Sequence, residues 1–301
     1  MGNMYTIQND HLSIGVQAKG AELTSIYHKK EQLEYMWSGD PAFWGKRSPV
    51  LFPVVGELKN NTYYYNNKAY HLGRHGFARD MEFTVVEQTT SSIGFSLLSN
   101  ADTLQKFPFE FVFDIIYHLQ QDRLTVEYRV KNTGNGDMYF SVGGHPAFKV
   151  PLVEGTGYDD YYLEFNKTES AGRWPISAEG LIETDAEPFL QHTNTLPLRK
   201  ALFYRDAIVF KNLRSDTVRL RSSTHDKGIE FNFSGFPYLG VWAAKDADFV
   251  CIEPWCGIAD AVTTSQQLTE KEGINRLGPG SVFERSWGVG FEFSSDLALL
   301  P

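Results

Sequence analysis

The pattern of this chain predicts an all-β fold, a large antiparallel β-sandwich with few short helices. Three observations carry that reading. Apolar and polar residues alternate over two long runs, residues 109–119 and 124–131, which is the period of a half-buried strand. No long stretch repeats its apolar residues every 3.6 positions, and the chain never settles into alternating strand and helix, so a βαβ fold is disfavoured. Aromatic residues make up 14% of the 301 residues, with 22 Phe and 15 Tyr, and such side chains favour pleated, half-buried surfaces. At 42% hydrophobic the chain can bury a large core. No composition shift separates two halves, so residues 1–301 read as a single domain.

In chain order, residues 5–7, 12–16 and 23–27 read as an opening meander. Asp40-Pro41 ahead of Ala-Phe-Trp has the chemistry of a helix start and predicts one short helix. Tyr63 to Tyr70 reads as a hairpin with Asn66-Asn67 at its tip. Phe109, Phe111, Phe113, Ile115, Tyr117 and Leu119 then alternate with Glu110, Asp114 and His118, while Val112 and Ile116 make the second face half apolar. Gln120-Gln121-Asp122 turns the chain into Leu124, Val126, Tyr128 and Val130, and residues 132–137 form another turn. Residues 161–165, 218–221, 229–233 and 282–293 read as further strands. Residues 151–200, with scattered Pro, Gly, Ser and Glu, read as long loops on the sandwich, and a lid over a site is one role open to them. An apolar run over 249–252 leads into Glu253, and Pro254 and Gly257 break the chain, which places an acid at the end of a strand on the rim of a sheet.

The net charge of −9 and the pI near 5.4 argue against a polyanion as main partner, so no nucleic acid is expected. No apolar run approaches the ~20 residues that span a bilayer, and the N-terminus has neither a basic nor an apolar leader region. Two cysteines, Cys251 and Cys256, make no disulfide framework and no two-pair zinc site. Cys251 reads as a buried strand thiol. The expectation is a cytoplasmic protein with no membrane partner, and a homodimer is one assembly the sequence allows.

A strand-end acid such as Glu253 is either a catalytic base or an acid that caps a turn or pairs with an arginine. His75 stands in Gly73-Arg-His-Gly-Phe-Ala-Arg-Asp80 and His145 in Ser141-Val-Gly-Gly-His-Pro-Ala-Phe148. Glycines beside the one and a Gly-Gly before and a proline after the other constrain the backbone that carries each imidazole. Each is either functional or satisfies loop backbone groups. His118 falls on the polar face of a strand, and His28 beside two lysines reads as solvated. Asp206, just ahead of an apolar strand, reads as a turn residue or a ligand of substrate hydroxyls.

In order along the chain stand Ser48-Pro-Val-Leu-Phe-Pro-Val-Val-Gly56, Arg-His-Gly-Phe-Ala-Arg, Gly-Gly-His-Pro-Ala-Phe, Asp-Ala-Ile-Val-Phe and Cys-Ile-Glu-Pro-Trp-Cys-Gly. Together they resemble the aldose 1-epimerase (galactose mutarotase) family, with the closest similarity to its LacX-like branch. The resemblance covers nearly the whole chain. It implies a large twisted β-sandwich that binds an aldose in an open cleft and interconverts its α and β anomers. It implies Glu253 as general base on the anomeric hydroxyl, His145 as proton donor to the ring oxygen, and His75 and Asp206 as sugar-binding groups. No metal or redox cofactor is implied; the partner is a small-molecule sugar.

The first histidine motif departs from the Asn-His-x-His-Gly-Gly type of the better-known galactose mutarotases. Its His-Gly-Phe-Ala-Arg form is shared with hexose-6-phosphate mutarotases of the same superfamily. There the motif's arginine helps hold phosphate, a role that would fall to Arg79, through the bidentate fork that suits Arg to phosphate; a structural role bridging loops stands beside it. Arg47 and Arg74 are further candidates. Trp255, Trp242 and Phe77 could supply an aromatic platform for a sugar or pack in the core. Two rival readings are a carbohydrate-binding protein without turnover and a glycoside hydrolase using Asp206 and Glu253.

Overall fold

The computed structural model describes residues 3–291. A nine-stranded antiparallel sheet runs in the spatial order Glu187–Pro197, Tyr161–Arg173, Thr217–Ser222, Ile229–Asn232, Val282–Gly290, Arg123–Asn132, Phe111–Gln120, Ser92–Leu98 and Thr84–Gln88. A six-stranded sheet runs Ile208–Lys211, Tyr238–Trp242, Phe249–Cys256, Val142–Gly144 and Val50–Leu51, with Ala147–Lys149 also paired to Phe249–Cys256. Met4–Gln8, Leu12–Gln17, Glu22–His28 and Leu33–Glu34 form a four-stranded meander. The two large sheets bury their facing side chains in one core. Phe148 meets Phe231 across it with ring centroids 5.9 Å apart, and Phe52 stacks on Phe113 at 4.5 Å.

Alternation in the sequence becomes alternation in burial. In Arg123–Asn132, Leu124, Val126, Tyr128 and Val130 are buried while the residues between them face outward. The predicted hairpin forms between Thr62–Tyr65 and Lys68–His71, with Asn66 and Asn67 at φ 50° and 59°, as a two-residue turn of the primed type needs. By contrast, Phe249–Cys256 is buried at all eight positions, which is why the run before Glu253 shows no alternation.

Four expectations need correction. The stretch 151–200 is loop only in part: the strand expected at 161–165 extends to Tyr161–Arg173, and it and Glu187–Pro197 are the longest strands among the described residues, at 13 and 11 residues. They lie at the outer end of their sheet, the outermost strand has just two buried residues, and three register shifts interrupt their pairing. A bulge reverses the phase of alternation, so no steady period-two signal survives. Asp40 opens a turn and no helix: its Oδ1 accepts the Ala42 N–H at 2.9 Å and its carbonyl the Trp44 N–H at 2.9 Å, and the chain leaves at Gly45. The one α-helix among the described residues is Ala101–Lys106, capped by Asn100 Oδ1 on the Asp102 and Thr103 N–H groups. His28 is buried, with Nε2 3.2 Å from Asp122 Oδ1 and Nδ1 accepting the Glu31 N–H at 3.2 Å. Finally, Glu253 lies inside its strand and not at its end, because pairing continues through Leu239 opposite Pro254 and Tyr238 opposite Trp255. The last predicted strand spans Val282–Gly290; Phe293, expected at its end, lies outside the described residues.

Candidate active site

The site begins at a break in the six-stranded sheet. On one side of Phe249–Cys256 two short strands share the edge: Val142–Gly144 pairs with residues 255–256, and Ala147–Lys149 with residues 249–251. Opposite Glu253 the partner strand is interrupted, and the interruption is His145-Pro146, between the two short strands. A proline inside a buried strand forfeits a ladder hydrogen bond. Here Pro254 falls at the gap, where little ladder is left to forfeit. The same gap lets the His145 ring in beside the acid.

The two glycines before His145 each relieve a contact. A Cβ on Gly143 would stand 2.7 Å from Trp255 Cδ1 on the one face of the sheet. On the other face, a Cβ on Gly144 would stand 2.7 Å from the Tyr128 hydroxyl and 3.0 Å from Trp287 Nε1. Gly-Gly therefore lets Trp255 lie close over the strand while the sandwich closes beneath it.

His145 Nε2 lies 3.3 Å from Glu253 Oε2, and their side chains are 9% and 2% exposed. Trp44 stacks on the imidazole at 4.9 Å and Trp242 meets it edge-on at 5.5 Å. His75 approaches edge-on at 5.8 Å. Burial pushes the His145 pKa down to about 3, and the cations Arg79 and Arg74 act in the same direction. Burial also raises the Glu253 carboxyl well above its usual range; Asp206 adds to the rise, while the Trp255 indole and Arg74 oppose it. A buried site disfavours each isolated charge. Both shifts favour the neutral pair, an imidazole facing a protonated carboxyl across the 3.3 Å contact.

His75 has φ 66°, and its Nδ1 accepts the Gly56 N–H at 3.0 Å. That bond leaves Nε2 to carry the proton of the neutral ring. Burial, His145 and the nearby arginines hold the ring neutral, its pKa well below the ordinary value. Asp206 sits at φ 106°, a backbone region costly for any residue but glycine, and its Oδ1 accepts the following Ala207 N–H at 2.7 Å.

His145, Glu253, His75, Asp206, Arg79 and Trp255 all line one cleft of about 640 Å³. Arg79 Nη2 donates to the Arg74 carbonyl at 2.9 Å, so this arginine braces its own loop as well as facing the cleft. Arg47 is the exception. Its Nε and Nη2 clasp the Ser38 carbonyl at 2.8 and 2.5 Å, and it is not among the cleft-lining residues, because the guanidinium is spent on closing the 38–47 loop. Phe77 likewise packs away from the cleft, against Phe52, Phe107 and Phe111. Trp44 was not singled out from sequence; it sits in a turn of no repeating pattern, and only the folded chain brings it onto His145. The segment holding Ile176, Ser177 and Gly180 supplies part of one wall.

Solved structures with the same architecture include a galactose mutarotase related enzyme from Lactobacillus acidophilus. It has a TM-score of 0.91 and 34% identity, covering 99% of this chain and 100% of that one. A galactose mutarotase-like protein from Lactobacillus casei superposes with a TM-score of 0.91 at 33% identity, covering 96% and 100% of the two chains. Residues 3–273 match the Aldose 1-epimerase family, and the chain belongs to that family. A curated relative, the chromosomal protein LacX of Lactococcus lactis, is 34% identical over 292 residues, 94% of this chain and 97% of its own.

Proposed function

We propose that the protein is an aldose 1-epimerase, a mutarotase that interconverts the α and β anomers of a free hexose. The observation that carries this reading is the His145–Glu253 pair at 3.3 Å on the wall of a sugar-sized cleft. Anomer exchange requires a proton to leave O1 and another to reach the ring oxygen O5. Transfer of the pair's proton from Glu253 to His145 across their contact makes Glu253 a carboxylate that accepts the O1 proton while the imidazolium delivers its own to O5. The C1–O5 bond opens, the C1–C2 bond rotates, and the ring recloses on the other face with the roles reversed. The pair ends with the same number of protons it started with. Each positioned group contributes about 10²–10⁴-fold. His75 donates from Nε2 to the sugar, Asp206 accepts from sugar hydroxyls, and the indoles of Trp44, Trp242 and Trp255 offer apolar surface to C–H faces. Sugar binding alone would not call for a buried acid–base pair.

A second reading, a hexose-6-phosphate mutarotase, is favoured by one observation: Arg74, Arg79 and Arg205 all line this cleft. Arg74 donates to Glu57 at 2.8 Å, so part of that charge is already answered.

The test is polarimetry on freshly dissolved α-glucose and α-galactose, with exchange NMR for hexose 6-phosphates. Faster relaxation of a free hexose is expected. Glu253→Gln should lower kcat by about 10²–10⁴-fold while sugar binding persists. Acceleration of phosphosugars alone would favour the second reading. Sugar binding with no acceleration, or release of aglycone from a chromogenic glycoside, would replace the proposal.

A further inference from the structure

One thiol lies against the acid–base pair. By the period of two, Cys251 and Glu253 share a face of their strand. His145 enters at the gap beside them, and one ligand atom from each of His145, Cys251 and Glu253 lies within 4.8 Å of the others. All three are buried. Burial holds the Cys251 thiol protonated, its pKa well above the ordinary value, so an ion that binds it displaces that proton to solvent; imidazole, the resulting thiolate and carboxylate form a donor set that suits Zn²⁺. Tetrahedral zinc, with bonds of about 2.0–2.3 Å, sets neighbouring ligand atoms roughly 3.3–3.8 Å apart. The His145–Glu253 contact already has that spacing at 3.3 Å.

We infer that His145, Cys251 and Glu253 bind a divalent ion of the zinc class, with a fourth position facing the cleft. The ion is an inhibitor and not a cofactor, since it occupies the atoms that the proposed reaction needs for proton transfer. Its binding stands without that reaction; only the inhibition rests on the mutarotase reading. Cys256 takes no part: five residues along the strand, it falls on the opposite face, near the Gly235 carbonyl at 3.9 Å.

Cobalt is the probe, because a thiolate bound to Co²⁺ gives a charge-transfer absorption. Titrating the full chain under reducing conditions without sugar should give that band, saturating at one equivalent and abolished by Zn²⁺. Cys251→Ser should lose it and Cys256→Ser should keep it. Glu253→Gln should keep the band but weaken cobalt binding ~10-fold or more, which carries the test if Cys251→Ser does not fold. No saturable band, or an unchanged band in Cys251→Ser, overturns the site. In the mutarotation assay one equivalent of Zn²⁺ should stop turnover and a chelator restore it. If cobalt binds but no sugar is turned over, the catalytic reading fails and the metal site stands.

Discussion

His75 is the residue whose chemistry is most exposed to pH. Its pKa in the fold lies well below the 6.5 of the unfolded chain. The folded state therefore binds fewer protons than the unfolded state below that value, and the stability it contributes is lost as pH falls. His145, lowered from 6.5 to about 3, acts in the same sense. Glu253, raised well above 4.5, acts in the opposite sense. The two members of the pair therefore oppose each other as pH falls, the lowered His145 weakening the fold and the raised Glu253 strengthening it. His75 adds its own slope below pH 6.5, up to about 1.4 kcal/mol per pH unit. His75→Asn, which tolerates the positive φ, should flatten it in urea melts between pH 6.5 and 4.5. Equal slopes in the two proteins would mean that the ring is not held neutral. At this scale much of the site was legible, because Gly, Pro and His adjoin in short motifs. What the sequence hid was where a long side chain spends its hydrogen bonds. Arg47 and Arg79 look alike on paper, but one clasps the Ser38 carbonyl and the other reaches the cleft.

Among elements, the interrupted edge beside Phe249–Cys256 does most to shape the site. Gly144 is a tight point of it, since an added methyl would press on the Tyr128 hydroxyl that accepts the Trp287 Nε1–H at 2.9 Å. Gly144→Ala should destabilise by about 1–3 kcal/mol and shift the urea midpoint accordingly. An unchanged midpoint would show that the sandwich gives way there at no cost. The central strands were readable because one face of each is apolar and the other polar. Of the pair Tyr161–Arg173 and Glu187–Pro197 only residues 161–165 were, since bulges and an outer strand with just two buried residues remove the contrast that alternation depends on. At Asp40 the local chemistry was read correctly, yet the cap is followed by Gly45 and no amphipathic run, so a turn forms where a helix was expected.

Across the whole molecule, the cleft wall is tied together by one buried ion pair. Lys271 Nζ donates to Asp260 Oδ1 at 2.7 Å, with both side chains 3% exposed, and Asp260 Oδ2 accepts the Lys59 N–H at 3.0 Å. The Asp260 backbone bonds to Glu57 and Ile182, both cleft-lining residues. Lys271→Met would strand a buried carboxylate and should cost about 3–5 kcal/mol, read as a loss in thermal and urea stability. Adding Asp260→Asn should recover part of that loss; no recovery would mean that the charge itself was never the problem. Nothing in the sequence marks this pair, which joins residues by tertiary contact alone.

Cys251, Glu253 and Trp255 are also members of a strand buried from end to end. A slip of one residue would set Ile252 in the place of Glu253. Chemistry and core are thus written in the same eight letters, and neither can drift without the other. Adaptation to a different sugar would be inherited through segments that border the cleft from outside that strand, those around 176–182 and 204–207 among them.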